Sequence, residues 1–182
     1  MRNFPVNTID TAPEASKASL QALKSAFGFV PNIAGAMSTS PVLIDGLVAL
    51  FGKVHGGSFS EPDIQVLLLT NAVTNGCEWA VAFHSALALG QGIDADDVAS
   101  IRQGGVPTAP RHAALSTLAR SLIETRGKLG DEAIDAFLAG GFDQRHLLEV
   151  IAVVAASTIT NYTGSVTRPP LETEFHPHLW AA

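Results

Sequence analysis

The sequence predicts an all-α fold, built from many short helices. Most segments carry apolar residues at helical spacing, begin at a capping residue or a proline and end at a glycine. Period-two alternation is weak throughout, so no segment is predicted as a strand. The β-branched run 150–154 favours a strand by propensity, but it lies inside a longer capped helical pattern.

The first two helices are predicted between residues 11 and 57. The motif Thr11-Ala12-Pro13-Glu14 resembles a capping box, and the helix that follows it ends at Gly28. Ser40-Pro41 begins the second helix, which ends at Gly56-Gly57. Both segments have one apolar face, which is typical of helices that pack on a core.

The third and fourth helices are predicted on either side of the turn Asn75-Gly76. The third begins with the box Ser60-Glu61-Pro62-Asp63, and the fourth begins at Cys77 and ends within 90–92. A short fifth helix runs from Asp94 through Ile101. Later helices are predicted at 109–126, 131–139 and 143–162.

We expect residues 1–182 to form a single domain, with 168–182 as an extended C-terminal tail. Arg168-Pro169-Pro170 ends the last long helix, and large apolar residues follow it. Such a tail is expected to lie on its own domain or on a neighbouring subunit. The chain has 182 residues and a mass of 19.0 kDa, which is enough for one core without disulfides.

Composition narrows the classes of partner. Only 15% of residues are charged, which predicts that part of the surface is buried in a homo-oligomer. The net charge is −6 and the chain has no Lys/Arg cluster, so neither nucleic acid nor an anionic membrane surface is expected as a partner.

A cytoplasmic location is predicted from two features. The longest apolar stretch, 150–167, carries seven Ser, Thr and Asn residues and falls short of a membrane span. Cys77 is the single cysteine, so no intramolecular disulfide forms, which suits a reducing compartment. No Cys/His cluster has the spacing of a metal site, and no cofactor is expected.

The residues most suited to chemistry lie between Gln65 and His84. Cys77 begins a helix, where free backbone N–H groups favour a thiolate and predict a lowered pKa. His84 follows two turns later on the same predicted face, and Gln65 on the preceding helix could approach both. In the alternative interpretation Cys77 is a small buried apolar residue and His84 a hydrogen-bonded core residue.

This region resembles the carboxymuconolactone decarboxylase / alkylhydroperoxidase D superfamily. The resemblance is carried by Ser60-Glu61-Pro62-Asp63-Ile64-Gln65, by Asn75-Gly76-Cys77-Glu78-Trp79-Ala80 and by Phe83-His84. Flanking segments resemble its peroxidase-related branch: Phe29-Val30-Pro31-Asn32 with Ser40-Pro41, and Asn161-Tyr162 with Pro170-Leu171 and Trp180. The resemblance implies a compact, all-helical alkylhydroperoxidase D-like fold that assembles as a dimer, trimer or hexamer.

Two positions depart from the motif of the peroxidase members. Those members carry Glu, eleven residues, Cys-x-x-Cys, three residues and His; their second Cys attacks the peroxide, their first resolves it, and Glu and His relay protons. In this chain Gln65 replaces the Glu and Ala80 replaces the second Cys, while Cys77 and His84 remain. The two-cysteine cycle is therefore impossible within one chain, and Glu61, one turn from Gln65, could supply the missing carboxylate.

Three functions follow from the resemblance and its departures. The first is a one-cysteine, peroxiredoxin-like antioxidant reductase of organic hydroperoxides, in which Cys77 works with His84 and an external thiol is the reductant. Trp79, Phe83 and Ala80 would then shape an apolar entrance, although core packing is the alternative role of the two aromatic residues. The second is a non-catalytic oligomeric binding or scaffold protein. The third is a decarboxylase or isomerase of a lactone acid, which needs cations that the central motif lacks.

Overall fold

The computed structural model describes residues 4–181, and these residues form α-helices and two short 3-10 helices with no strand among them. The all-α prediction is therefore confirmed. The 3-10 helices are Glu14–Ser16, before α1, and Thr173–His178, after α9. The α-helices are α1 (Lys17–Phe27), α2 (Asn32–Met37), α3 (Pro41–His55), α4 (Glu61–Thr74), α5 (Glu78–Gly90), α6 (Ala95–Arg102), α7 (Pro110–Glu124), α8 (Asp131–Ala139) and α9 (Gln144–Thr167).

Helix starts follow the predicted caps with one exception. The Ser60 side chain accepts from the backbone N–H of Asp63, whose carboxylate accepts from the Ser60 N–H, so the capping box at α4 forms. The box predicted at Thr11 does not form, because the Thr11 hydroxyl instead accepts a hydrogen bond from the Thr8 backbone N–H. α1 begins only at Lys17, after the first 3-10 helix.

One helix is longer than the sequence predicts, and another was not predicted at all. α9 continues to Thr167, five residues past the predicted end, because nothing interrupts the helix before Arg168 and the prolines that follow it. α2 was not predicted, since its six residues are too few to show a periodic apolar face.

α4 is the centre of the fold. Its residues from Asp63 to Ala72 are all buried, and the helix packs against α5, α7 and α9. A helix that is buried on every side needs apolar or internally bonded side chains all round. The carboxylate of Asp63 meets this need by accepting two hydrogen bonds from the Arg111 guanidinium, at 2.8 and 2.9 Å. Gln65 is a further polar residue on this helix.

The segment after α9 lies on the chain itself. The Phe175 ring packs edge-on against Phe83, with 5.1 Å between centroids. The Glu172 carboxylate accepts hydrogen bonds from the indole N–H of Trp79, at 3.1 Å, and from the backbone N–H of Asn32, at 2.6 Å. Part of this predicted extended tail forms the second 3-10 helix, and the segment braces α5 from outside.

By length and composition alone, α9 would be able to cross a membrane. In the fold, 39% of its most apolar window is buried inside the protein. Core helices of soluble proteins meet the same criterion, and α9 packs against α2, α3, α4, α5 and α7.

Candidate active site

A buried histidine–glutamine pair lies between α4 and α5. The turn at Asn75 and Gly76, where Gly76 adopts a φ of +65°, folds α5 back along α4. The two helices bring Nδ1 of His84 to 3.1 Å from Oε1 of Gln65, and each residue is only 5% exposed. Because an amide oxygen accepts hydrogen bonds, Nδ1 of His84 carries the proton and Nε2 is left as an acceptor.

His84 is held in its neutral form. Burial, with a smaller contribution from the nearby His55, lowers the pKa of its imidazole from the ordinary value of 6.5 to about 3. Gln65 cannot oppose this effect, because its amide carries no negative charge. A Glu at this position would favour the imidazolium, so the Glu-to-Gln departure changes the charge state of the pair as well as its proton capacity.

His84 and Gln65 line a cavity of about 70 Å³ that is almost entirely apolar. Its walls come from α1 to α5 and α9, and the polar residues in its lining are His55, Gln65, His84 and Thr160. Trp79 and Phe83 form one wall as a stacked pair, 4.8 Å between centroids. The role in a substrate pocket predicted for these two aromatic residues stays a prediction. Ala80 is fully buried outside this lining.

Glu61 does not replace the missing carboxylate at Gln65. It lies at the first position of α4 and pairs with the last residue of α3, with His55 Nδ1 2.9 Å from its Oε1. The His55 ring also stacks on Phe51, and both of these residues line the cavity. Glu61 therefore reaches the cavity only through His55.

Cys77 lies at a different site from His84. It lines a second, more polar cavity with Gly164, Ser165 and Arg168. The reason is local: Cys77 is the N-cap residue of α5, with an extended backbone (φ −93°, ψ 96°), so helical periodicity does not carry its side chain onto the His84 face. Among residues 4–181, no hydrogen bond links the two side chains.

The expected low pKa of Cys77 is not found. The residue is 1% exposed, and burial raises the pKa of its thiol above the ordinary value of 9.0. Hydrogen bonds from the backbone N–H groups of Ala80 and Trp79 and from the Ser165 hydroxyl act in the opposite direction. Loss of hydration outweighs these N-terminal donors, because a thiolate loses more from desolvation than a thiol does.

Two residues of the cavity, His55 and Thr160, are not predicted from the sequence as site residues. Both reach the cavity through packing of distant helices, α3 and α9, on α4 and α5. A polar residue on an otherwise apolar helical face was the only signal available for Thr160. Within 4–181, no three His, Cys, Asp or Glu side chains are grouped closely enough to hold a metal ion.

Residues 43–120, which span α3 to most of α7, match the model of the Carboxymuconolactone decarboxylase family. Together with the shared fold, this match supports the resemblance of the chain to the carboxymuconolactone decarboxylase / alkylhydroperoxidase D superfamily. No curated protein matches the chain in sequence.

Solved structures share the whole architecture. An alkylhydroperoxidase AhpD core, a peroxidase-related protein from Ralstonia eutropha JMP134, is 16% identical with a TM-score of 0.83, over 95% of this chain and 93% of that one. The debrominase Bmp8 is 16% identical with a TM-score of 0.77, over 96% and 94%. A Cys-to-Ala variant of Bmp8 in complex with 2,3,4-tribromopyrrole is 14% identical with a TM-score of 0.77, over 98% and 96%. At these identities the likeness establishes the fold.

Proposed function

We propose that this protein binds a small, largely apolar organic molecule in the cavity beside His84, and that this function does not use Cys77. The observation that carries the proposal is the cavity itself, which is walled by apolar side chains and contains a neutral histidine. Small-molecule sites have this composition, with few polar groups in an apolar lining. The cavity is small, so a ring-sized ligand requires some of the apolar side chains that line it to move apart.

The separation of the thiol supports a thiol-independent function. Cys77 lies outside the cavity lining, and the position that carries the attacking cysteine in the peroxidase motif is Ala80. The Bmp8 complex with tribromopyrrole offers a parallel, because a small heteroaromatic molecule binds to a protein of the same fold. The lactone-acid alternative lacks support, since no Lys or Arg lines the cavity within the described part of the chain.

Two matched tryptophan substitutions on α3 test the proposal. Val48 is half-buried and lines the cavity, whereas Val42 on the same helix is 85% exposed and does not. Binding of toluene, acetophenone and benzamide would be measured by calorimetry and by chemical-shift changes of cavity residues. We expect Val48→Trp to weaken binding at least ~10-fold, because the indole fills the space, and Val42→Trp and Cys77→Ser to leave it unchanged.

The proposal fails if none of the three probes shifts resonances of cavity residues in the wild-type protein. It also fails if Val48→Trp binds the probes as tightly as Val42→Trp. Thermal unfolding of both variants shows whether a loss of binding comes from a loss of the fold.

A second candidate, thiol-dependent reduction of organic hydroperoxides, is favoured by the surroundings of Cys77. Its thiol receives hydrogen bonds from Ser165 and from two backbone N–H groups, and Arg168 lines the same cavity. In this reaction the thiolate attacks one peroxide oxygen, the O–O bond breaks, and a sulfenic acid and an alcohol form. One external thiol condenses with the sulfenic acid to give a mixed disulfide and water, and a second external thiol attacks the mixed disulfide to release the Cys77 thiol and an external disulfide.

Trapping of the sulfenic acid distinguishes the two candidates. Reduced wild-type protein, Cys77→Ser and His84→Ala would be exposed briefly to one equivalent of cumene hydroperoxide with a sulfenic-acid trap, and their intact masses measured. Rapid trapping that is lost only in Cys77→Ser would support the second candidate. An unmodified wild-type mass would overturn it and leave the cavity proposal as the function.

We also propose that the protein works as a homo-oligomer that covers one face of α9. This face carries four exposed apolar residues at helical spacing: Leu148, Ile151, Tyr162 and Val166. Long apolar stripes on a helix surface are typical of subunit contacts, and the low charge of the chain agrees with one. Sedimentation equilibrium should show a dimer or larger assembly, which Tyr162→Glu and Val166→Glu weaken; a monomeric wild-type protein would refute the proposal.

A further inference from the structure

Three residues from three different helices line the His84 cavity, and each has a side-chain polar atom without a hydrogen bond in the described part of the chain. These atoms are Nε2 of Gln65 on α4, Nε2 of His84 on α5 and Oγ1 of Thr160 on α9. Each residue is more than nine-tenths buried and lines the cavity, yet these atoms make no hydrogen bond within residues 4–181. None of them is among the fully enclosed unsatisfied atoms, so each retains accessible surface.

The chemistry of the three atoms is complementary. The Gln65 oxygen holds the proton of His84 on Nδ1, so His84 presents an acceptor and Gln65 presents its N–H donors. The Thr160 hydroxyl can donate or accept. Buried polar groups are nearly always hydrogen-bonded, so a set of free ones in an apolar cavity indicates what a ligand must supply.

The cavity has no charge to balance an ion. Its lining contains no Lys, Arg, Asp or Glu within the part of the chain that the structure describes. His55, which lies at the cavity, is already paired with Glu61. An unpaired carboxylate or ammonium group would therefore lose its hydration without compensation.

Resting on the proposed function, we propose that the ligand's polar end is an uncharged group with a donor beside an acceptor, as in a carboxamide or lactam. Its N–H group donates to Nε2 of His84. Its carbonyl oxygen accepts from Nε2 of Gln65 and from the Thr160 hydroxyl. Its apolar body lies against the Trp79–Phe83 wall.

Three probes of nearly equal shape separate these requirements. Benzamide is neutral with donor and acceptor, acetophenone is neutral with an acceptor only, and benzoate is an anion without a donor. We expect wild-type protein to bind benzamide at least ~10-fold more tightly than either of the others, the effect of about one buried hydrogen bond. Calorimetry and chemical shifts of cavity residues would give the dissociation constants.

Two variants assign the contacts. In His84→Leu the preference for benzamide over acetophenone should fall to about twofold or less, because the acceptor for the N–H group is gone. Thr160→Val keeps the shape of the side chain and should weaken benzamide and acetophenone alike, by roughly threefold to tenfold, because both carry the carbonyl. The second variant, together with the wild-type ratios, keeps the test decisive if His84→Leu does not fold.

Failure of this inference differs from failure of the proposed function. If acetophenone or benzoate binds as tightly as benzamide in the cavity, the neutral donor–acceptor assignment is wrong although the cavity is a binding site. If the preference for benzamide survives in His84→Leu, the assigned contact is wrong. If no probe enters the cavity, the proposed function itself fails.

Discussion

The two cavities beside α5 contain the two groups that its sequence singles out, and burial acts on them in opposite directions. At the start of the helix the pKa of the Cys77 thiol is raised, and two turns later the pKa of the His84 imidazole is lowered. The physical cause is the same, because desolvation favours the uncharged form, which is the protonated thiol and the deprotonated imidazole. Burial therefore disfavours both the thiolate of Cys77 and the imidazolium of His84, the two charged forms that make up an activated cysteine–histidine pair.

The largest effect is expected on the rate at which the Cys77 thiol is alkylated. Iodoacetamide should alkylate Cys77 in the folded protein at least ~100-fold more slowly than in urea at the same pH, because the sulfur is buried and protonated. The rate would be followed by mass spectrometry between pH 7 and 10. Ser165→Ala should slow the reaction further, since it removes a hydrogen bond that stabilises the thiolate. A rate in folded protein equal to that in urea would show that the thiol is accessible and activated.

The next largest effect is expected on the stability of the protein in acid, because His84 is buried in its neutral form. The folded pKa of His84, about 3, lies below the unfolded value, so the unfolded chain binds the extra proton. The free energy of unfolding should therefore fall as pH decreases from about 6.5 towards 3, by up to ~1.4 kcal/mol per pH unit for this proton. Urea unfolding at pH 7, 6 and 5 should show this slope in wild type and a smaller one in His84→Leu. Equal slopes would contradict the neutral, buried histidine.

A smaller effect on the free energy of unfolding is expected from a double-mutant cycle between Cys77 and Gly164, which tests whether Cys77 acts as a core residue. A Cβ on Gly164 would lie 2.7 Å from the Cys77 sulfur, closer than packing allows. Gly164→Ala should thus destabilise the wild type by about 1–3 kcal/mol but stabilise Cys77→Ala, where the methyl group fills the vacated space. The coupling free energy from urea unfolding should exceed ~1 kcal/mol. Additive effects would mean that the sulfur does not pack against α9.

The smallest effect concerns the His55–Glu61 pair at the cavity. Both side chains are partly exposed, so Glu61→Gln should change the free energy of unfolding by less than about 1 kcal/mol. Binding of benzamide should be nearly unchanged, because Glu61 lies outside the cavity lining. A large loss of binding in Glu61→Gln would make this pair, rather than His84 and Gln65, the polar centre of the site.

Local sequence signals accounted for most helix boundaries but not for the composition of the site. Proline, serine and glycine punctuation placed α3, α4, α5 and α8 closely, because caps depend on residues near in sequence. The split between Cys77 and His84 was not predicted, since spacing arguments assume that both residues lie within one helix, and Cys77 is its N-cap. Thr160 and His55 join the cavity through tertiary packing, which periodicity within one helix does not encode.

The hydrogen bonds of Glu172 also constrain the order in which the molecule assembles. They join residues 140 and 93 positions apart in the chain, so long loops must close before either bond can form. Closing such loops costs conformational entropy before the contacts can stabilise the fold. The segment that braces Trp79 is therefore expected to dock last and to release first, and hydrogen exchange around the Trp79–Phe83 wall should report opening well below the free energy of global unfolding.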